Sequence, residues 1–131
     1  MIVVDVNVLA YLLIPGKFTA SAERLFEADP GWAAPRLWRS ELRNILANYL
    51  RVQQMNLTDA ALIFQRASEL IGDEEYEVET SEVLRLSRDS QCSAYDCEYV
   101  ALAAHLDLPM VTADGRLARA FPDRVQLLAA G

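Results

Sequence analysis

The pattern of hydrophobic and polar positions divides the chain into alternating strands and helices. Ile2 to Val4 are consecutive β-branched residues without polar alternation, as in a parallel-sheet strand covered on both faces. From Val6 onward, apolar residues recur at helical spacing, so the chain changes from strand to helix at Asp5. Asn7 lies at the predicted start of this helix, where asparagine favours capping.

The same alternation continues along the chain. Further predicted helices cover residues 18–28, 37–50, 58–71, 95–106 and 117–121, and one more begins with Thr80 or Ser81 as its cap. Predicted strands cover residues 32–34, 74–79, 109–112 and 125–128. Such alternation predicts an α/β sandwich in which a central, mostly parallel sheet is flanked by helices. No linker or repeat interrupts the pattern, so residues 1–131 are predicted to form a single domain.

Composition narrows the possible functions. A net charge of −7 makes the chain a poor non-specific binder of nucleic acid, which it would need cations or a local basic patch to hold. No hydrophobic run approaches membrane-spanning length and no secretory signal precedes the first strand, so we expect a cytoplasmic protein without a membrane partner. Cys92 and Cys97 are expected to be reduced thiols. His105 is the only histidine, which argues against a zinc site.

Four acidic residues stand at positions where a sheet of this kind binds ligands. Asp5 and Asp114 each follow an apolar strand, so both are expected at the carboxyl edge of the sheet. Glu41 and Asp96 lie near the starts of predicted helices, where partial positive charge eases the placement of a carboxylate. Four converging carboxylates would suppress each other's ionisation without a cation. Oxygen ligands of this kind suit Mg²⁺ or Mn²⁺.

Each of these acids also has a simpler interpretation. The chain contains 19 acidic residues, and most of them must be surface or helix-capping groups. Asp5 and Asp114 are candidate helix caps, and Asp96 is a candidate charge at a helix start. Glu41 is flanked by Arg39 and Arg43, either of which offers an ion pair. Composition does not choose between these roles and catalysis.

The order and spacing of the motifs do point to a family. Residues 93–103 (SAYDCEYVALA) followed by residues 108–117 (LPMVTADGRL) strongly resemble the PIN-domain ribonucleases. They are most similar to the VapC type, the toxins of bacterial and archaeal toxin–antitoxin pairs. Residues 4–9 (VDVNVL) and 40–42 (SEL) match the first and second acidic motifs of that family. The resemblance extends from Met1 to about Val125.

The resemblance implies a PIN-like three-layer sandwich and a type II toxin that acts as a Mg²⁺- or Mn²⁺-dependent endoribonuclease. It implies that catalysis and metal binding fall to four residues, Asp5, Glu41, Asp96 and Asp114. It also implies a homodimer and a small antitoxin, whose tail occupies a groove of the toxin. The RNA target stays open between transfer, ribosomal and messenger RNA.

Several neighbouring residues are candidates for supporting roles. Asn7 stands where many relatives have Thr or Ser, and Thr112 is expected to hydrogen-bond within the site. Arg39, Arg43 and Arg116 are candidate contacts for RNA phosphates, although solvated helix charges explain them equally well.

The reaction type follows from the side chains present. A metal-free ribonuclease with two catalytic histidines is excluded because His105 stands alone. The remaining mechanism uses a metal ion held by carboxylates. The metal activates a water molecule, which attacks the phosphorus atom in line. Glu98 lies two residues after Asp96, so we expect it to point to another helix face, at the surface or behind the ligands. The alternative function is a catalytically silent PIN-like module that acts only by binding a protein partner.

Overall fold

The computed structural model describes residues 1–129, so residues 130 and 131 of the predicted single domain lie outside the described residues. Among the described residues, no helix is both long enough and apolar enough to cross a membrane. The strands are β1 (Ile2–Val4), β2 (Trp32–Pro35), β3 (Glu75–Tyr76), β4 (Met110–Thr112) and β5 (Val125–Leu127). The helices are α1 (Val6–Leu13), α2 (Thr19–Ala28), α3 (Trp38–Arg51), α4 (Leu57–Ile71), α5 (Thr80–Ser90), α6 (Ala94–Leu106) and α7 (Gly115–Ala120).

The five strands form one sheet in the order β3-β2-β1-β4-β5, and every pairing is parallel. The predicted α/β sandwich is therefore confirmed. The chain builds outward from β1 to β2 and β3, then crosses to the other side of β1 to add β4 and β5. The direction of winding thus reverses between β1 and β4. In open α/β sheets, the crevice at the carboxyl ends of two such strands is the usual ligand site.

The core explains why these segments take these places. All three residues of β1 are buried, as expected for the central strand of a sheet covered on both faces. Helix α6 is buried over most of its circumference and packs against β1, β2 and α5. A helix that is apolar all round belongs inside the fold. Its position brings its first turn, which contains Asp96, to the carboxyl edge of the sheet.

Three predictions about helix starts were wrong. Asp5, not Asn7, caps α1: Asp5 Oδ1 accepts a hydrogen bond from the Val8 backbone N–H at 3.1 Å, and Asn7 is an exposed residue in the first turn. Helix α4 begins one residue earlier than predicted because Asn56 caps it. Neither Thr80 nor Ser81 caps α5, because Thr80 is already helical and the cap position has no side-chain hydrogen bond.

Candidate active site

Asp5, Glu41, Asp96 and Asp114 form an acidic cluster at the carboxyl edge of the sheet. Asp5 directly follows β1, Asp114 follows the adjacent strand β4, and Glu41 lies in the first turn of α3, the helix after β2. Asp96 lies in the first turn of α6. Each acid therefore lies at a helix N-terminus, where the positive end of the helix dipole offsets part of the cost of gathering negative charges.

Asp5 is the most enclosed member of the acidic cluster. Its carboxylate is buried, and it caps α1 through the bond from Val8. The Thr112 hydroxyl donates a second hydrogen bond to Asp5 Oδ2. The two oxygens are therefore held by separate donors on two different elements. Burial nevertheless raises the pKa of Asp5 above its ordinary value, against the lowering effect of these hydrogen bonds.

Thr112 links two acids of the cluster. Its side chain is completely buried, and its hydroxyl donates to Asp5 while accepting from the backbone N–H of Asp114 at 3.0 Å. Asp114 in turn caps α7, because its Oδ1 accepts from the Arg116 backbone N–H at 2.9 Å. One hydroxyl thus fixes both the Asp5 carboxylate and the backbone from which Asp114 projects. The hydrogen bond expected of Thr112 is present.

Tyr99 is a site residue that the sequence analysis missed. Its hydroxyl donates to Glu41 Oε1 at 2.6 Å, although the two residues are far apart in sequence and Tyr99 is only 2% exposed. Burial and the neighbouring Glu41 charge raise the pKa of Tyr99, so its phenol stays protonated as a donor. The signal available in the sequence was a tyrosine three residues after Asp96 on the same helix face.

The acids of the cluster act on one another electrostatically. Burial raises the pKa of Glu41, and the charges of Asp96, Asp5 and Glu98 raise it further. Burial likewise raises the pKa of Asp96, with the charge of Asp114 adding to the effect. Carboxyl groups that raise each other's pKa in this way favour a proton or a cation between them.

Glu98 lies closer to the acidic cluster than its helical position suggested. It is half-buried, burial raises its pKa, and its charge acts on both Glu41 and Tyr99. Glu98 follows Asp96 by two residues and so leaves the helix in a different direction, yet its charge still acts on Glu41, so it is not remote from the site.

The three candidate phosphate-binding arginines have different surroundings. Arg39 pairs with Glu75 of β3, with Nε 2.5 Å from Oε1, and the same carboxylate accepts a hydrogen bond from the Trp38 indole. Arg43 lies over the ring of Phe64 on α4, at 4.9 Å from its centroid. Neither guanidinium faces the acidic cluster. Arg116 does, because its charge lowers the pKa of Asp96 against the effect of burial.

The donor set of the acidic cluster fits a hard divalent cation. The side-chain atoms that the four acids offer to a metal are all carboxylate oxygens, which are the ligands that Mg²⁺ and Mn²⁺ prefer. Within residues 1–129, no three Asp, Glu, His or Cys side chains lie close enough together to enclose one ion. Mg²⁺ commonly binds through one or two carboxylates and keeps several waters. Asp5 and Asp96, whose charges act on each other, offer such a pair.

A hollow of about 490 Å³ opens beside Glu41. Its walls include the side chains of Asn7, Ser40, Asn44 and Tyr95. Asn7 therefore lies next to the acidic cluster, although its side chain forms no hydrogen bond to the four acids. The hollow gives an extended ligand access to Glu41 from solvent.

Three solved structures share this fold. The protein PAE2754 from Pyrobaculum aerophilum superposes with a TM-score of 0.76 at 20% identity, covering 96% of this chain and 89% of the other. A toxin–antitoxin complex from Klebsiella pneumoniae matches with a TM-score of 0.69 at 16% identity over 100% of both chains. FitAcB from Neisseria gonorrhoeae matches with a TM-score of 0.72 at 16% identity, covering 99% of this chain and 98% of the other. At these identities, the similarity shows a common fold and nothing further.

No curated protein matches the sequence. A family model does match it, and the match takes in all four acids of the cluster together with every strand except β5. That model describes the PIN domain and matches residues 2–121, so the chain belongs to the PIN domain family.

Proposed function

We propose that this protein is the toxin of a type II toxin–antitoxin pair and acts as a Mg²⁺- or Mn²⁺-dependent endoribonuclease. The observation that carries the proposal is the convergence of four carboxylates on helix N-termini, at the crevice between β1 and β4. Three of the four have raised pKa values, chiefly because Asp5 is buried and Glu41 and Asp96 are half-buried. A fold retains buried acids of this kind at a cost in stability, which a catalytic role explains.

The chain's own residues have distinct roles in this proposal. Asp5 and Asp96 are the principal metal ligands, and Glu41 or Asp114 orients the attacking water or holds a second ion. When bound, the cation lowers the pKa of water and neutralises charge developing on the phosphate. Thr112 holds the Asp5 carboxylate in one orientation through its hydroxyl.

Tyr99 acts through Glu41 rather than on the substrate. The phenol occupies one lone pair of Glu41 Oε1 and leaves Oε2 free to accept a proton from water. Because the pKa of Glu41 is raised, its carboxylate is a stronger base than a solvated glutamate. Arg116 is the candidate cation for an RNA phosphate at this edge.

The partner in this proposal is a small antitoxin protein. One structure with the same fold is a toxin–antitoxin complex, which supports a partner of this class. The net charge of −7 favours a basic segment over bare RNA as a ligand of the acidic cluster. An Arg from the partner would pair with Asp5 or Asp96 and block access to the substrate phosphate. We further propose a cytoplasmic homodimer.

The test is RNA cleavage followed by analysis of the product ends. In Mn²⁺ or Mg²⁺, the protein should leave 5′-phosphate and 3′-hydroxyl ends, and excess chelator should abolish cleavage. Asp5→Asn should be inactive, whereas Asp73→Asn, a matched change of an exposed acid in the turn after α4, should retain activity. Ends bearing a 2′,3′-cyclic phosphate, or full activity of Asp5→Asn, would overturn the mechanism. A folded protein that binds a small partner but never cleaves RNA would be the silent binding module instead.

A further inference from the structure

A second concave surface adjoins the acidic cluster, and we call it the aromatic groove. It lies between α1, the loop that follows α1, and α3, and has a volume of about 230 Å³. Its principal side chains are Asn7, Tyr11, Phe18, Ile45 and Tyr49. The volume is below the roughly 300–1,000 Å³ typical of sites for drug-sized ligands. It therefore suits a group as small as one aromatic ring system.

The aromatic groove is continuous with the hollow beside Glu41. Asn7 and Ile45 line both depressions, so the two meet along the exposed side of α1 and the facing side of α3. Burial raises the pKa of Tyr11, and the charge of Asp5 adds to this, which places the phenol near the acidic cluster. A polymer with one phosphate at the acidic cluster would thus pass its next unit over Asn7 into the groove.

The side chains of the groove suit a nucleobase. The rings of Tyr11 and Phe18 have centroids 4.8 Å apart and are inclined at 37°, and Phe18 is 41% exposed despite its size. An exposed aromatic side chain is a stacking platform for a base. Lys17, the only lysine of the chain, has its ammonium 5.4 Å from the Phe18 centroid, within reach of a phosphate attached to a stacked nucleotide. The Asn7 amide offers both donors and an acceptor to a base edge.

We propose that the aromatic groove binds the base of an unpaired nucleotide adjacent to the scissile phosphate. The inference rests on the proposed function and deepens it by naming the side chains, chiefly Phe18 and Tyr11, that hold a base beside the cleavage point. A base within a duplex is stacked and paired, so it cannot enter a groove of this kind. Stacking also explains how a protein with a net charge of −7 holds RNA, because stacking does not depend on a basic surface.

The proposal can be tested without any cleavage. The probe is an RNA trinucleotide that carries the fluorescent base 2-aminopurine and an uncharged methylphosphonate at one of its two linkages. The neutral linkage removes the phosphate charge that would face the acidic cluster, so binding can be measured in chelator. We expect the full chain to quench 2-aminopurine fluorescence at one of the three positions. Phe18→Ala should weaken binding about 5- to 150-fold, the range for loss of one base–aromatic stack.

The matched control is Leu84→Ala, which removes an exposed hydrophobic side chain from α5, outside the aromatic groove. It should bind the probe as the natural protein does, and both variants should show native circular dichroism. Quenching that is absent at every position, or that survives Phe18→Ala unchanged, would overturn the proposal. The proposal would also be overturned if no oligonucleotide bound but an amphipathic helical peptide did, and if Phe18→Ala abolished that peptide binding. The groove would then be a protein-docking surface.

Failure of this inference is distinguishable from failure of the proposed function. RNA cleavage in Mn²⁺ by both the natural protein and Phe18→Ala at equal KM would refute the base-binding groove and leave the nuclease intact. Specific quenching of the probe by a protein that never cleaves RNA would support the groove and refute the nuclease. An annealed complementary strand should abolish quenching, and quenching of the duplex would count against a site for unpaired bases.

Discussion

Replacing Thr112 by Val tests the link between two acids of the cluster. The substitution keeps the shape of a completely buried side chain but removes the hydroxyl that donates to Asp5. It also removes the acceptor of the Asp114 N–H, 3.0 Å away. Both losses occur where water has little access. The variant therefore isolates one hydroxyl with almost no change in volume.

The expected magnitude follows from the charge of Asp5. A hydrogen bond to a charged group contributes about 1.5–3 kcal/mol, whereas a bond between neutral groups contributes about 0.5–1.5 kcal/mol. We expect Thr112→Val to lower the free energy of unfolding by about 2–3 kcal/mol at neutral pH. The Thr112 bond lowers the pKa of Asp5, so its loss raises that pKa further. The loss of stability is greatest above the raised pKa, where Asp5 is charged. As pH falls through that pKa, the loss shrinks to the smaller value for a hydrogen bond between uncharged groups.

The assay is urea denaturation in chelator, which measures the free energy of unfolding. It is carried out at neutral pH and at a pH below the raised pKa of Asp5. Thr112→Ser is the control, because it keeps the hydroxyl and loses only a buried methyl, at a pH-independent cost of about 1 kcal/mol. In an Asp5→Asn background, Thr112→Val should cost less, and the difference measures the coupling. A valine variant no less stable than the serine variant at neutral pH, or with the same loss at both pH values, would refute this reasoning.

Three further predictions concern the same cluster. Tyr99→Phe should lower stability by about 1.5–3 kcal/mol because it removes the donor to Glu41, and calorimetry with Mn²⁺ should show weaker binding. Folding raises the pKa of Asp5, Glu41 and Asp96, so their ionised forms lower the free energy of unfolding above the raised pKa values, and this loss is relieved as pH falls through them. Urea melts in chelator should therefore show stability rising as pH falls through the raised pKa values, and a monotonic decline from neutral pH would contradict this. Mn²⁺ should raise Tm, and Asp5→Asn should lose most of that shift while remaining at least as stable in chelator.

Much of the fold was predictable because its signals are local. The apolar run of β1, the helical spacing after it and the second strand–Asp sequence at Asp114 each identify an element without reference to the rest of the chain. Parallel pairing then places both aspartates at one edge, as β1 and β4 do. The starts of α1 and α5 were wrong because several capping residues lie close together there, and local sequence does not choose between them.

Side-chain direction on α3 could not be predicted in the same way. Arg39 and Arg43 flank Glu41 in sequence, so each was a candidate for an ion pair with Glu41 or for a contact to an RNA phosphate. On the helix, positions two apart diverge by more than half a turn, which directs Arg39 to Glu75 and Arg43 to Phe64. The spacing of Tyr99 from Asp96 places it on the same face of α6, but its bond to Glu41 also depends on how α6 packs against α3, which helical spacing does not give.

The choice between helix cap and metal ligand, which the sequence left open, does not have to be made. Asp5 caps α1 through Oδ1 and accepts from Thr112 through Oδ2. The Ala113 backbone N–H is a third donor to this carboxylate. Each carboxylate oxygen has about two acceptor sites, so about one site of the four remains for a further ligand. Capping helps metal binding, because it orients a carboxylate that would otherwise rotate. The helix dipole also stabilises the negative charge of that carboxylate by about 0.3–1 kcal/mol. Asp114 caps α7 through Oδ1, and within residues 1–129 its Oδ2 accepts no hydrogen bond. Two of the four acids are thus helix caps and the other two lie in first turns, and their residual repulsion is what a divalent cation would relieve.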